Sequence, residues 1–219
     1  MEIDLNKKVL MFHEVLDDVI IDSGFHSISK GKYSISITEF RNIVDTFADT
    51  VLYTFDDGGI SNLIAADYLK FKGIKGYFFI CTGYIDQTLF LSQSQIEFLA
   101  VDHYILPHGH MHIMNIVDED VLFNDWKYSL DIISNLAKTQ ISAVCLPGGT
   151  FSRVHKNVLL KLNINTVFHS APSNIVLSLL YSNSFIFIPR LIITKGWNKN
   201  IFNFQMFKSY IKQILYYRY

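Results

Sequence analysis

Residues 51–59 read Val-Leu-Tyr-Thr-Phe-Asp-Asp-Gly-Gly, a β-rich apolar run that stops at two carboxylates and two glycines. The apolar part, Val51–Phe55, predicts a buried strand, and the Asp-Asp-Gly-Gly that follows predicts a tight turn. Ser61 then predicts the N-terminal cap of a helix that runs to Lys72, with Gly73 just past its end. This order of strand, turn and helix is the unit whose repetition along the chain decides the fold.

Strand-like and helix-like segments alternate on both sides of this unit. The other predicted strands are residues 9–12, 76–81, 104–106, 141–146, 166–168 and 186–193. The other predicted helices are residues 38–47, 92–100, 118–138 and 153–162, and a closing helix with the apolar stripe Ile201, Phe204, Phe207, Ile211 and Ile214. The polar segment 22–36 is predicted to be a long loop. The alternation predicts an α/β fold with a largely parallel sheet or barrel and helices outside, in a single domain over residues 1–219.

Composition excludes several classes of protein. The chain has 219 residues, of which half are hydrophobic, and its formal net charge at pH 7 is −1. This balance argues against disorder and gives no basic footprint for nucleic acid. No apolar run reaches the roughly 18 residues that a membrane span needs, and the N-terminal residues lack the pattern of a secretory signal. With two cysteines in strand-like runs and no disulfide framework, we expect a cytoplasmic protein.

Polar groups follow three of the predicted strands. They are the Asp56-Asp57 pair, the run from His108 to His112, and the Pro-Gly-Gly that starts at Pro147. Because the carboxyl ends of parallel strands gather at one edge of the sheet, we expect these groups to meet in space. Alone, the Asp-Asp-Gly-Gly sequence is more typical of an ordinary turn than of a reactive site.

His108 and His112 stand four positions apart, a spacing that can bring two imidazoles to one metal ion. A carboxylate is a natural third ligand, and three protein ligands leave a position open for water, as in catalytic zinc sites. The spacing does not exclude His110 as a ligand. The alternative is a histidine-rich surface loop with incidental affinity for metals.

Taken together, these segments resemble the polysaccharide deacetylases, the family of carbohydrate esterases that includes the nodulation-type chitooligosaccharide deacetylases. The sequence Thr-Phe-Asp-Asp-Gly at 54–58 is similar to the first motif of that family, and the run from His103 to His112 is similar to the second. The strand that ends at His13 resembles the first strand of many members, and Leu-Pro-Gly-Gly at 146–149 occupies the place of the third motif. The resemblance covers roughly residues 8 to 155.

The resemblance implies a distorted, incomplete (β/α) barrel and a role for each motif residue. Asp57, His108 and His112 would be metal ligands and Asp56 the general base. Zinc is the usual metal for such ligands, and cobalt or nickel also fits. The metal would polarise an acyl carbonyl and activate water, Asp56 would take the proton of that water, and an acid would protonate the departing amine.

The sequence departs from the family pattern at the third motif. Cys145 stands where the family has an arginine that contacts the base, and Gly148 stands where an aromatic residue follows the proline. Arg190 is the best substitute for the missing positive charge, although a surface ion pair is an equally good interpretation. Cys145 itself is typical of a small buried hydrophobe, since no paired histidine and carboxylate suggest a nucleophile.

The proton donor is left open by the sequence, because the family's late histidine motif is absent. His169 and His13 each follow a predicted strand and are candidates, while a structural role is the alternative for both. Pro147 and Gly148 are candidates for substrate contact. Trp197, in a loop after a strand, is a candidate for stacking on a sugar ring, whereas Trp126 lies at helical spacing and is expected in the core.

The predicted function is a metal-dependent hydrolase that removes an N-acetyl or similar acyl group from an amino sugar or glycan, in bacterial surface polysaccharide metabolism. Two alternatives remain open at this point. One is a sugar deformylase or another amidase with the same metal centre. The other is a catalytically impaired domain that keeps the fold and binds a glycan or a protein partner, which the departures from the motifs suggest.

Overall fold

A computed structural model describes residues 3–25, 31–114, 118–149, 151–170 and 183–197 of the chain. Its strands are β1 Lys8–Phe12, β2 Glu14–Leu16, β3 Ser34–Ser36, β4 Val51–Phe55, β5 Tyr77–Ile80, β6 Tyr104–Pro107, β7 Ala143–Cys145, β8 Thr166–His169, β9 Ile186–Pro189 and β10 Leu191–Ile192. Its α-helices are α1 Ile37–Phe47, α2 Asn62–Phe71, α3 Gln93–Asp102, α4 Glu119–Ala137 and α5 Arg153–Lys161. The alternation read from the sequence is therefore confirmed.

Eight of these strands form two parallel sheets, and the edge strands of one sheet lie next to those of the other. The larger sheet has the order β10-β1-β4-β5-β6 and the smaller one the order β7-β8-β9. Strand β6 packs beside β7 without joining it in a ladder, and β9 runs directly into β10. The strands thus form a distorted, incomplete (β/α) barrel that is interrupted at two seams, as the family resemblance implied.

Two details of the predicted strands and loops are corrected by the structure. The predicted strand 186–193 is two strands, because β9 pairs with β8 whereas β10 pairs with β1. Pro189 ends β9 without a backbone N–H, which stops that ladder and leaves Arg190 at the seam between the sheets. The predicted loop 22–36 ends in a strand, since β3 pairs in parallel with β2. The predicted closing helix lies outside the described residues.

The cap of α2 also differs from the prediction. Ser61 precedes the helix but makes no side-chain cap. Its hydroxyl donates to Glu14 Oε2 at 2.6 Å instead and accepts the N–H of Val15 at 3.2 Å. The serine therefore ties the start of α2 to β2, close to the turn that follows β4.

Aromatic rings pack between the larger sheet and helix α1 outside it, where Phe12 and Phe55 both contact Phe40. Phe55 and Phe78 stack with their centroids 4.6 Å apart, and Phe12 lies 5.3 Å from Phe55. Trp126 is only 1% exposed, so its predicted place in the core is confirmed. Both cysteines are free and buried. In the part of the chain that the structure describes, no helix combines the length and apolarity needed to cross a bilayer.

Candidate active site

The turn after β4 carries two buried carboxylates in a strained backbone. Asp57 adopts φ 76° and Gly58 φ 82°, and for a non-glycine residue this left-handed region is costly. A Cβ atom on Gly59 would lie 2.6 Å from Ser23 Oγ and 2.7 Å from Glu14 Oε1, so the second glycine is required by close packing. The turn is therefore built to hold Asp57 in one orientation.

Asp57 faces the two histidines that leave β6. Its Oδ1 atom lies 3.5 Å from His108 Nε2 and 3.4 Å from His112 Nε2. That oxygen is buried and has no hydrogen-bond partner among the described residues. Burial raises the pKa of Asp57 well above its ordinary value, and the carboxylates of Asp56 and Glu14 raise it further. An orphaned carboxylate oxygen between two imidazole nitrogens is the arrangement that a divalent cation would satisfy.

The protonation of His108 also fits a metal ligand. Its Nδ1 atom lies 2.9 Å from the carbonyl oxygen of Cys145, which can only accept, so Nδ1 carries the proton and Nε2 presents a lone pair to Asp57. Burial lowers the pKa of His108 to about 3. The imidazole is therefore neutral, the form that binds metals.

His110, which the spacing alone had left open as a ligand, points elsewhere. Its Nδ1 atom lies 2.9 Å from Thr82 Oγ1, and its ring lies tilted against that of Tyr128, with the centroids 5.9 Å apart. The loop that carries the three histidines is held by Asp125 of α4, which accepts the backbone N–H of His110 at 2.9 Å and of Met111 at 2.7 Å. Sequence reasoning missed Asp125, although a carboxylate next to Trp126 on the buried face of an amphipathic helix was a usable signal.

Arg190 crosses from the β9–β10 seam to Asp56. Its Nη1 and Nη2 atoms donate to the two carboxylate oxygens at 2.6 and 2.8 Å, and the side chain is 1% exposed. Burial opposes ionisation of Asp56, but the guanidinium of Arg190 outweighs it and holds the pKa of Asp56 far below its ordinary value. Asp56 is therefore a permanently ionised carboxylate, only 3.9 Å from His108 Nε2. Cys145 leaves room for the arginine, with Sγ 2.9 Å from Nη2.

The two histidine candidates for the proton donor lie in different places. His13 lines the cleft, stacks on Tyr33 at 4.9 Å and has an Nδ1 atom without a hydrogen-bond partner among the described residues. Burial lowers the pKa of His13 to about 4, and nearby Asp56 opposes that shift. His169 is fully buried beside Phe187, and its backbone carbonyl accepts from Arg190 Nε. His169 is not among the described residues that line the cleft.

The cleft above these residues has a volume of about 450 Å³, within the range of small-molecule sites. Further described residues that line it are Glu14, Phe25, Tyr84, Met111, Met114, Leu146, Gly148, Gly149 and Ser170. Gly148 is thus brought to the cleft, while Pro147 is buried and is not among the described residues that line it. Trp197 packs on Phe47 at 6.1 Å and is not brought to this lining.

Comparisons with known proteins agree with the fold described above. A family model described as polysaccharide deacetylase matches residues 44–167, and a search of curated sequences gives no significant match. IcaB from Ammonifex degensii is similar in structure, with a TM-score of 0.67, 19% identity, and coverage of 86% of this chain and 92% of its own. The Streptococcus pyogenes deacetylase PplD, solved in complex with acetate, has a TM-score of 0.72 at 16% identity and covers 91% of this chain and 97% of its own.

A polysaccharide deacetylase from Bacillus cereus has the same TM-score of 0.72 at 14% identity, with coverage of 91% of this chain and 68% of its own. Identities this low establish a shared fold. The family match spans more than half of the chain and includes both the aspartate turn and the histidine loop. The chain belongs to the polysaccharide deacetylase family.

Proposed function

We propose that the chain is a metal-dependent hydrolase that removes an N-acetyl group from an amino sugar or glycan in bacterial surface polysaccharide metabolism. One observation carries the proposal: the unpartnered Oδ1 atom of Asp57 faces the Nε2 atoms of two histidines, directly beside an ionised Asp56. Family membership supports the carbohydrate substrate. The acetate in the Streptococcus pyogenes relative supports the acyl group, because acetate is what N-deacetylation releases.

The ligands in this proposal are Asp57, His108 and His112. Two imidazole nitrogens and a carboxylate oxygen suit zinc best, and cobalt or nickel also fits. When bound, the cation supplies Lewis acidity to the acyl carbonyl and to the attacking water. The protein side chains supply the proton transfers.

Asp56 acts as the general base. The bidentate contact with Arg190 fixes the plane of the carboxylate and keeps it ionised at neutral pH. The carboxylate accepts a proton from the attacking water while its neighbour Asp57 holds the cation. Arg190 positions the base and does not itself donate a proton, because a guanidinium stays protonated in proteins.

His13 acts as the proton donor to the departing amine. His13 lines the cleft, and the other histidines among the described lining residues are the two proposed ligands, His108 and His112. His169 lies next to Arg190 in the barrel, where its carbonyl oxygen accepts from Nε. At rest burial keeps His13 neutral, with its pKa at about 4. The negative charge that develops on the acyl oxygen raises the pKa of the imidazole, so His13 takes up, through solvent, the proton that Asp56 received from water and gives it to the amine nitrogen as the C–N bond breaks.

Two features of the site argue against the alternative of a catalytically impaired domain. It rested on the absent motif arginine and the absent late histidine, and Arg190 and His13 offer a guanidinium at the base and an imidazole in the cleft. No contact among the described residues selects an acetyl over a formyl group. The experiment therefore compares both acyl groups.

The test is acetate release from N-acetylated chitooligosaccharides by the purified, zinc-loaded protein, with N-formyl analogues run in parallel. Asp57→Ala and His108→Ala should lose stoichiometric zinc and all turnover. His13→Gln should keep zinc and lose turnover by about 100-fold or more, the usual range for a general acid. His169→Gln is the matched control and should retain most activity if it folds.

Wild-type protein that holds zinc and hydrolyses no acylated sugar would overturn the proposed hydrolase and favour a binding domain. Preference for formyl over acetyl groups would correct the substrate. Equal losses of turnover in His13→Gln and His169→Gln would contradict the assignment of His13 as the proton donor.

A further inference from the structure

A thiol at the end of β5 lies at the proposed metal centre. Donor atoms of Cys81, Asp57, His108 and His112 all lie within 4.8 Å of one another. Cys81 is 1% exposed and forms no disulfide. The catalytic steps proposed above give this thiol no role.

Backbone hydrogen bonds hold Cys81 between the two loops that carry the ligands. Its N–H donates to the carbonyl oxygen of Asp57 at 3.2 Å, and the N–H of His108 donates to the carbonyl oxygen of Ile80 at 2.9 Å. The next residue, Thr82, donates its N–H to the carbonyl oxygen of Gly109 at 3.2 Å. The position of the thiol is therefore fixed relative to Asp57 and to both histidines, as a ligand requires.

The second buried thiol sits in a different electrostatic setting. Cys145 Sγ lies 2.9 Å from Arg190 Nη2 and 3.8 Å from each carboxylate oxygen of Asp56. A cation held by Cys145 would lie against the guanidinium, and that carboxylate is already neutralised by the arginine. Like charges at such a distance repel strongly in a buried site. Cys81 lies instead near the unpartnered oxygen of Asp57, and its thiol donates only a long hydrogen bond, 3.5 Å, to the uncharged carbonyl oxygen of His108.

We propose that Cys81 is a fourth protein ligand of the metal ion, an inference that rests on the metal centre of the proposed function. On binding, the S–H bond is replaced by a sulfur–metal bond and the thiol proton passes to solvent. A set of two nitrogens, one oxygen and one sulfur matches tetrahedral zinc and disfavours magnesium and manganese.

The fourth ligand has a consequence for reactivity. Two anionic ligands cancel the charge of a divalent cation, so the metal is a weaker Lewis acid than with Asp57 as the sole anion. Cys81 would thus make metal binding tighter and more selective, and it would lower the Lewis acidity of the bound metal.

The test is zinc-edge X-ray absorption on the full chain loaded with zinc. The wild type should show a sulfur neighbour at about 2.3 Å beside nitrogen and oxygen neighbours at about 2.0–2.1 Å. Cys81→Ala should lose the sulfur neighbour, and Cys145→Ala, the matched control, should keep it. In cobalt-loaded protein, the thiolate-to-cobalt charge-transfer band should follow the same pattern. Cys81→Val, which keeps most of the side-chain volume, replaces the alanine variant if that fails to fold.

A wild-type spectrum with nitrogen and oxygen neighbours alone overturns the role of Cys81 and leaves the hydrolase proposal intact. Sulfur that persists in both Cys81 variants does the same. Wild-type protein that binds no zinc overturns both proposals together, and acetate release, measured separately, reports on the hydrolase proposal by itself.

Discussion

Asp56 and Asp57 are adjacent in sequence and equally buried, yet their surroundings act in opposite directions. Arg190 holds the pKa of Asp56 below its ordinary value against the effect of burial. For Asp57 burial comes first and the Asp56 carboxylate second, and both raise the pKa. The fold thus stabilises the charge of Asp56, whereas the charge of Asp57 needs a bound cation to stabilise it.

Asn substitutions at these two positions should therefore have opposite effects on the metal-free protein. A lowered carboxyl pKa contributes stability above the unfolded value of about 3.9. Asp56→Asn should thus cost about 3–5 kcal/mol at neutral pH, because Arg190 loses a buried partner. A raised pKa lowers stability as pH rises past the same value, so Asp57→Asn should stabilise the metal-free chain. Urea unfolding measures both changes.

Zinc provides the internal control for this comparison. Zinc should raise the midpoint of urea unfolding of the wild type and leave the midpoint of Asp57→Asn unchanged. Asn tolerates the left-handed backbone that Asp57 adopts, so strain does not confuse the result. A destabilised metal-free Asp57→Asn protein would contradict the assigned burial cost.

Among the site residues, the sequence could predict those that lie close to one another along the chain. The pair at 56–57 and the histidines at 108 and 112 are recognisable because each motif is local. Arg190 was a candidate for pairing with Asp56 only because a positive charge was missing, and nothing in the sequence places its guanidinium 2.6 Å from that carboxylate. The approach of Cys81 to the ligands is a contact through space that no sequence spacing encodes.

The elements around the site supply the rigidity that the ligands need. The loop after β6 leaves the barrel with Gly109 and His112 both at positive φ, which for the non-glycine His112 costs free energy. Helix α4 compensates from the outside. Asp125 accepts two backbone N–H groups of the loop, and Ser129 Oγ donates to the carbonyl oxygen of Gly109 at 3.0 Å.

We expect Asp125→Ala to weaken zinc binding by about 10–100-fold, the range for residues that orient metal ligands through a second contact. The substitution removes the acceptor of two part-buried N–H groups of the histidine loop, at a cost of about 1 kcal/mol each. A competition titration against a chromophoric chelator measures the affinity. Ser129→Ala, one helical turn away, removes a single bond to the same loop and should have a smaller effect. Equal affinities in the two variants would show that α4 does not position the loop.

Element boundaries were predictable where one pattern covered one element. The strand Val51–Phe55 and the helix Ile37–Phe47 match their predicted extents closely, because apolar spacing and flanking turn residues coincide there. The run 186–193 reads as one strand because every pattern rule sees continuous apolar residues. Its division between two sheets follows from which strands lie on either side, which is a tertiary property.

On the scale of the whole molecule, the site connects two incomplete sheets. Arg190 leaves the seam between β9 and β10 and donates to Thr54 and Asp56 of the larger sheet and to the carbonyl of His169 in the smaller one. The barrel class was predictable from the alternation of strands and helices. The two seams were not, because the register between strands far apart in sequence depends on side-chain packing inside the barrel.

Metal binding should be coupled to the stability of the whole chain and to pH. A ligand that binds only the folded state raises its stability by mass action. His108, whose pKa burial lowers to about 3, is already neutral near neutral pH, whereas Asp57 must lose its proton before it binds. Zinc affinity should therefore rise with pH up to the raised pKa of Asp57, and binding should release protons.

Isothermal titration with zinc in buffers of different ionisation enthalpy counts the released protons directly. Wild-type protein should release one more proton than Cys81→Ala, because the thiol of Cys81 also gives up its proton when it binds. Thermal unfolding above and below neutral pH should show a larger zinc-induced shift at the higher pH. A shift that is independent of pH would mean that Asp57 is already ionised in the metal-free fold, which would require a cation-like neighbour beyond the described residues.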